Sequence, residues 1–132
     1  MANFKNLEMA SALSQYQYIT IKNTFFGLSK KAVYQPTNST IESEYYEYSP
    51  DQGSQLEHLL NLPKEKLLQE VQSKTFPKPT PVGQYRLECC FSADQTFAAL
   101  QLFRFSDFSY KPVTELLIFT ENEVTIIRNI IK

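Results

Sequence analysis

From Gln84 to Phe91, in QYRLECCF, residues suited to a core alternate with residues suited to its far side. Successive strand side chains point to opposite faces. A strand here places Tyr85, Leu87, Cys89 and Phe91 on one face and Gln84, Arg86, Glu88 and Cys90 on the other. Cys89 is then a core residue, and Cys90 looks away from that core. After the turn residues SADQ, TFAALQLFRF continues as a second strand. TELLIF is apolar on both faces, as a central strand is. VTIIRNII is read as a final strand because β-branched residues dominate it, although Thr120 and Glu123 form a capping box and Val124, Ile127 and Ile131 have helical spacing.

Before Gly83 the pattern changes period. Phe4, Leu7 and Ala10 recur at helical spacing after Asn3, which predicts a short helix within Asn3 to Tyr16. YQYITIKN alternates, with Ile19 and Ile21 on one face, and Gly27 ends it. KAVYQ forms a short strand stopped by Pro36, and TIESEYYEY forms another from Thr40 to Tyr48. SPDQGS reads as a turn, since Pro50, Asp51 and Gly53 each favour turn geometry. Ser54 and Glu57 make a capping box for a helix carrying Leu56, Leu59 and Leu60 on one face. Leu62 precedes proline and is biased out of the helix. Pro63 opens a second helix with Leu67, Leu68 and Val71 as its apolar stripe. FPKPTPVG is an extended connector, because its prolines cannot continue a helix.

These elements predict an α+β fold in a single domain spanning residues 1–132. A mostly antiparallel sheet of about five to seven strands packs on a helix pair at residues 54–74.

Composition narrows the function classes. The chain has 132 residues, 42% of them hydrophobic, and a net charge of −1. A balance of that kind lacks the clustered cations a nucleic-acid binder needs, so no nucleic-acid partner is expected. MANFKNLEMASAL carries Glu8 where a secretion signal needs an apolar run. No stretch approaches the ~20 apolar residues of a membrane-spanning helix. A cytoplasmic protein without a membrane partner is expected, with the Asn38 sequon left unglycosylated.

Chemistry-bearing residues are few. The two cysteines, Cys89 and Cys90, point to opposite faces and lack further ligands, so neither a zinc site nor a redox pair is expected. If either thiol is reactive it is Cys90, activated by His58 or Arg86. His58, the single histidine, carries no orienting pattern and reads as a surface residue of the first paired helix. Gly27, Gly53 and Gly83 are the three glycines and cannot build a phosphate loop. Asp51, Asp94 and Asp107 fall in turns without a calcium-loop spacing. No catalytic residue, metal or cofactor is expected.

The segment IESEYYEYSPD is the unusual feature. Tyrosine combines a rigid ring with a polar tip and is enriched at interfaces; glutamates around it favour a basic partner. Alternation assigns Ile41, Ser43, Tyr45 and Glu47 to the core and leaves Glu42, Glu44, Tyr46 and Tyr48 as an exposed binding face. Its competitor is an ordinary half-buried strand. A second aromatic group, Phe103, Phe105, Phe108 and Tyr110, belongs to the core or lines an apolar pocket. The function expected first is a non-enzymatic protein-binding module, such as an adaptor, inhibitor or immunity-type protein, whose partner bears a basic patch. A carrier of an apolar small molecule, and an enzyme without a visible motif, are the alternatives.

Overall fold

The computed structural model describes residues 6–24, 29–73, 76, 78–80 and 83–131. Asn3 and Phe4 of the expected first helix, Gly27, and residues 77, 81 and 82 of the connector lie outside them.

The order of elements is α1 (Ala10–Ser14), β1 (Ile19–Thr24), β2 (Ser29–Tyr34), β3 (Ser39–Tyr48), α2 (Pro50–Leu60), α3 (Lys64–Ser73), β4 (Tyr85–Ser92), β5 (Phe97–Ser106), β6 (Ser109–Pro112), β7 (Leu117–Thr120) and α4 (Asn122–Ile127), closed by a 3-10 turn at Arg128–Ile131. The sheet runs β1-β2-β3-β4-β5-β6 with antiparallel pairing throughout. β5 is long enough to hold two neighbours on one edge: Phe97 to Leu100 pair with β7, and Phe103 to Ser106 pair with β6. The fold is α+β.

Both faces of the central strands are covered. On one face Leu87, Cys89, Leu100 and Leu102 pack with Leu56, Leu60 and Leu67 of α2 and α3 and with Val124 and Ile127 of α4. On the other, Cys90, Phe97, Ala99 and Phe103 pack beneath Leu7, Met9 and Leu13 at the amino-terminal end and beneath Ile19, Ala32 and Tyr34 of the curled β1–β2 arm. Phe97 stacks between Tyr16 and Tyr34 at 5.9 and 4.8 Å.

Five expectations are corrected. The turn at Ser49 to Gly53 is the first turn of α2. Ser49 is its cap, accepting from the Gln52 amide at 3.4 Å, and Pro50 takes the first helical position, where a missing N–H costs nothing. The segment after Thr120 is helical, not a strand. Its spacing brings Val124, Ile127 and Ile130 to the core, and Glu123 accepts the Thr120 amide; this burial outweighs β-branched propensity. β7 is not a central strand but an edge strand paired to β5 alone; its apolar character reflects packing on both faces, with Phe119 in one core and Ile118 against the other. The amino-terminal helix is shorter than its pattern, Ala10–Ser14. α3 begins at Lys64, so Pro63 immediately precedes the helix instead of filling its first position, and its carbonyl accepts from the Leu67 amide at 2.9 Å.

Candidate functional site

β3 is the strand that carries the acidic tyrosines, and its two edges differ. On one edge it pairs with β4 along its length from Ile41 to Tyr48. On the other, β2 pairs with it only at Ser39 and Thr40. Beyond Thr40 no strand of the described residues lies on that edge. The direction of the backbone groups follows from two contacts. The Thr40 carbonyl accepts from Ala93 on the β4 side, and the Glu47 carbonyl accepts from Thr80 on the open side. Strand hydrogen-bonding directions alternate, so the amides and carbonyls of Ser43 and Tyr45 point to the same side as the Glu47 carbonyl; Ser43 is nonetheless covered there, 2% accessible, whereas Tyr45 is exposed.

The face bearing Glu42, Glu44, Tyr46 and Tyr48 looks toward the helix-side core. Glu42 is exposed; Glu44 and Tyr46 are half-buried. The Tyr46 hydroxyl donates to Glu44 Oε2 at 2.5 Å. Burial, and then this carboxylate, raise the Tyr46 phenol above its ordinary value. Tyr48 does not join this surface: it is fully buried in the helix-side core. The chain turns into α2 directly after it, and that helix covers it. Its hydroxyl has no hydrogen-bond partner among the described residues. Tyr48→Phe is therefore expected to leave stability unchanged or raise it by up to ~1 kcal/mol, as read by denaturant unfolding. A loss of that size would mean that the hydroxyl is satisfied.

The opposite face holds the most exposed tyrosine of the segment, Tyr45, 46% accessible, where alternation alone had placed a core residue. Its ring lies 3.9 Å from the Arg86 guanidinium, whose other neighbour is the Tyr110 ring at 5.2 Å. Tyr110 meets Phe105 edge-on at 5.1 Å. Arg86 Nε is 3.1 Å from Glu88 Oε2, a charge contact off the hydrogen-bonding direction, since Nε has no aligned partner. Glu88 is fully buried and accepts from the Met9 amide at 2.8 Å and the Glu8 amide at 2.9 Å. Burial raises its carboxyl above the ordinary value, more than those amides and Arg86 lower it. The row Tyr45–Arg86–Tyr110–Phe105 was missed in the sequence. Its one signal there was Arg86 and Glu88, opposite charges two apart on one strand face.

Tyr45 and Tyr46 point to opposite faces, yet both line one groove of about 300 Å³ together with Glu47, Pro79 and Thr80. The groove lies where Thr80 meets the Glu47 carbonyl, on the side of β3 away from β4.

The other candidate residues are dispersed. Phe103 is buried, Phe105 is largely exposed, and Phe108 stands 97% accessible at the tip of the β5–β6 hairpin. Cys90 does look away from the helix-side core, but a second core buries it completely. Burial pushes its thiol up to about 12. Burial also holds Cys89 well above its ordinary value, with the adjacent Cys90 adding to it. Both thiols are free. His58 is exposed on α2, across the sheet from Cys90, so the two do not meet. Neither thiol is therefore expected to react with a thiol reagent in the native protein, and both should react on unfolding. Rapid native labelling of Cys90 would show that the amino-terminal cover opens.

Among the described residues no group of acidic, histidine and cysteine side chains could hold a metal ion. Nor is any described helix long and apolar enough to cross a membrane. Comparison with protein families, with curated proteins and with solved structures finds no match.

Proposed function

We propose that this chain is a non-enzymatic protein-binding module whose contact surface is β3. The observation that carries the reading is the surface of that strand on which Glu42 and the ring of Tyr45 are exposed, with Glu44 and Glu47 half-buried beside them. Carboxylates grouped around an exposed tyrosine ring suit a partner that supplies positive charge. Tyr48 is dropped from the binding set and Tyr45 replaces it. The free buried thiols are in keeping with a cytoplasmic setting.

The test is charge reversal. Wild type and the double variant Glu42→Lys, Glu44→Lys are used as baits in a lysate. The captured partner's affinity is then measured against salt. Affinity is expected to fall about tenfold or more on reversal, with thermal stability retained, and the wild-type association rate should fall as salt rises. A partner held equally by both baits would contradict the reading.

A further inference from the structure

We infer that two copies of this chain bind one another reciprocally: the Phe108 ring at the tip of each β5–β6 hairpin seats in the apolar groove beside β7 of the other copy. This contact is separate from the β3 surface.

The hairpin tip supplies the first argument. Asp107 and Phe108 form the two-residue loop between β5 and β6, and both have positive φ, 50° and 66°. Loops of this geometry favour asparagine or aspartate followed by glycine. Aspartate tolerates the left-handed region, but a bulky ring there is strained. Nothing inside the molecule offsets that strain, because Phe108 is 97% accessible. A large apolar side chain held in an unfavourable conformation and left in water calls for burial against another molecule.

The groove supplies the second. Leu62, Leu67, Leu116, Leu117 and Phe119 line a groove of about 160 Å³, with Lys64 beside them. Leu62, Leu116 and Leu117 remain partly exposed along it. An apolar cavity of ~150 Å³ lined by such residues takes one benzene ring, so this groove has the size of the Phe108 ring. Charge agrees with size. Asp107 precedes the ring and Lys64 borders the groove, with side chains 88% and 48% accessible. Their partners within one copy are Lys111 at 3.2 Å and Glu123 at 2.9 Å. Ion pairs near the surface contribute little, so exchange to an Asp107–Lys64 pair between copies costs little. A net charge of −1 leaves self-repulsion weak.

Topology supplies the third. β6 and β7 pair with opposite ends of the same edge of β5, so tip and groove lie along one side of the molecule. A two-fold axis across that edge, midway between them, brings each tip to the other copy's groove and closes the assembly as a dimer. One ring buries only roughly 150–250 Å², less than a stable interface needs. The reciprocal contact doubles that area, and a weak, concentration-dependent dimer is expected.

The test is sedimentation equilibrium of the full chain over a rising concentration series. Wild type is expected to dimerise, and Phe108→Ser and Leu62→Glu each to weaken dimerisation about tenfold or more. Phe108→Gly relieves the left-handed strain. It should raise the melting temperature of the monomer by a few degrees while losing the dimer to the same extent. A photoreactive benzoyl group carried on the ring at position 108 should cross-link to segment 62–67 or 116–119 of the second copy. If Leu62→Glu fails to fold, the Phe108 variants and the cross-link decide.

A wild type that stays monomeric throughout, a dimer kept by Phe108→Ser, or cross-links outside the groove would each overturn the proposal. So would binding of the monomer to phosphatidylserine vesicles through Phe108 without dimerisation, which would make a lipid surface the ring's occupant.

Discussion

Gly53→Ala is expected to destabilise the protein by about 3 kcal/mol, lowering the melting temperature by roughly 10 °C. Helix propensity predicts the opposite sign. Gly53 lies inside α2, and alanine is the better helix former by about 1 kcal/mol. The difference is the close approach of the strand beneath. A Cβ at Gly53 would stand 2.0 Å from Tyr85 Cδ1, 2.2 Å from Cγ and 2.7 Å from Cβ. The last of these is fixed to the β4 backbone, so swinging the ring cannot clear the contact. Either α2 lifts from the sheet or β4 shifts, and both disturb the core around Tyr48 and Leu56. Thermal unfolding of the single variant decides it. An unchanged or raised melting temperature would mean that α2 does not seat on Tyr85.

Glu88→Ala is expected to cost about 3 kcal/mol, because removing one member of a buried charge pair leaves the other uncompensated. Arg86 would lose its buried counter-charge while keeping the rings of Tyr45 and Tyr110, and the buried Met9 amide would lose its acceptor. Glu88→Gln keeps one oxygen acceptor and should cost less. The two also differ in pH dependence. Glu88 has a folded pKa raised above its ordinary 4.5. Between the unfolded and folded values the native state binds more protons, so this group's contribution to stability declines as pH rises through the folded pKa. The decline begins above pH 4.5, and Glu88→Gln should remove it. Urea unfolding at several pH values measures both effects. A Glu88→Ala protein as stable as wild type would show that this carboxylate does not hold the amino-terminal segment.

What the sequence could reveal follows the physics of each element. β4 was legible because strict alternation has one structural meaning, and Tyr85, Leu87, Cys89 and Phe91 do share the helix-side core. α3 was legible from Pro63 and its leucines. The segment from Val124 was misread because β-branched residues vote for strand locally, while their three- and four-residue spacing serves a helix once α3 is there to pack against. Ser54 and Glu57 form a local capping pattern, but the helix is capped five residues earlier by Ser49 and opened by Pro50, because turn-forming residues also suit a helix's first turn. The second core was invisible. It draws Leu7, Met9 and Leu13 onto a face whose strand residues include Glu88 and Cys90, residues that read as solvent-facing when β4 is considered alone.

The candidate surface was partly legible for a related reason. The period of β3 was correct, and Glu42 and Glu44 share a face with Tyr46. Alternation assigns faces, but it does not say which positions along a face are covered. Tyr48 lies under α2, whereas Tyr45 stands on the margin beyond the amino-terminal cover, so their exposures are the reverse of the expectation. The point at which β2 stops pairing with β3, after Thr40, is likewise encoded in no local pattern.

The central claim is that contact is made through the acidic, tyrosine-bearing surface of β3. Its most direct measurement is amide hydrogen exchange of the protein alone and bound to the partner that charge reversal releases. The account predicts new protection concentrated in β3 around Glu42 to Tyr46, strongest at Tyr45, the exposed ring of the strand. Protection confined to the α2–α3 surface or to the β5–β6 hairpin around Phe108, with β3 exchanging as in the free protein, would contradict it.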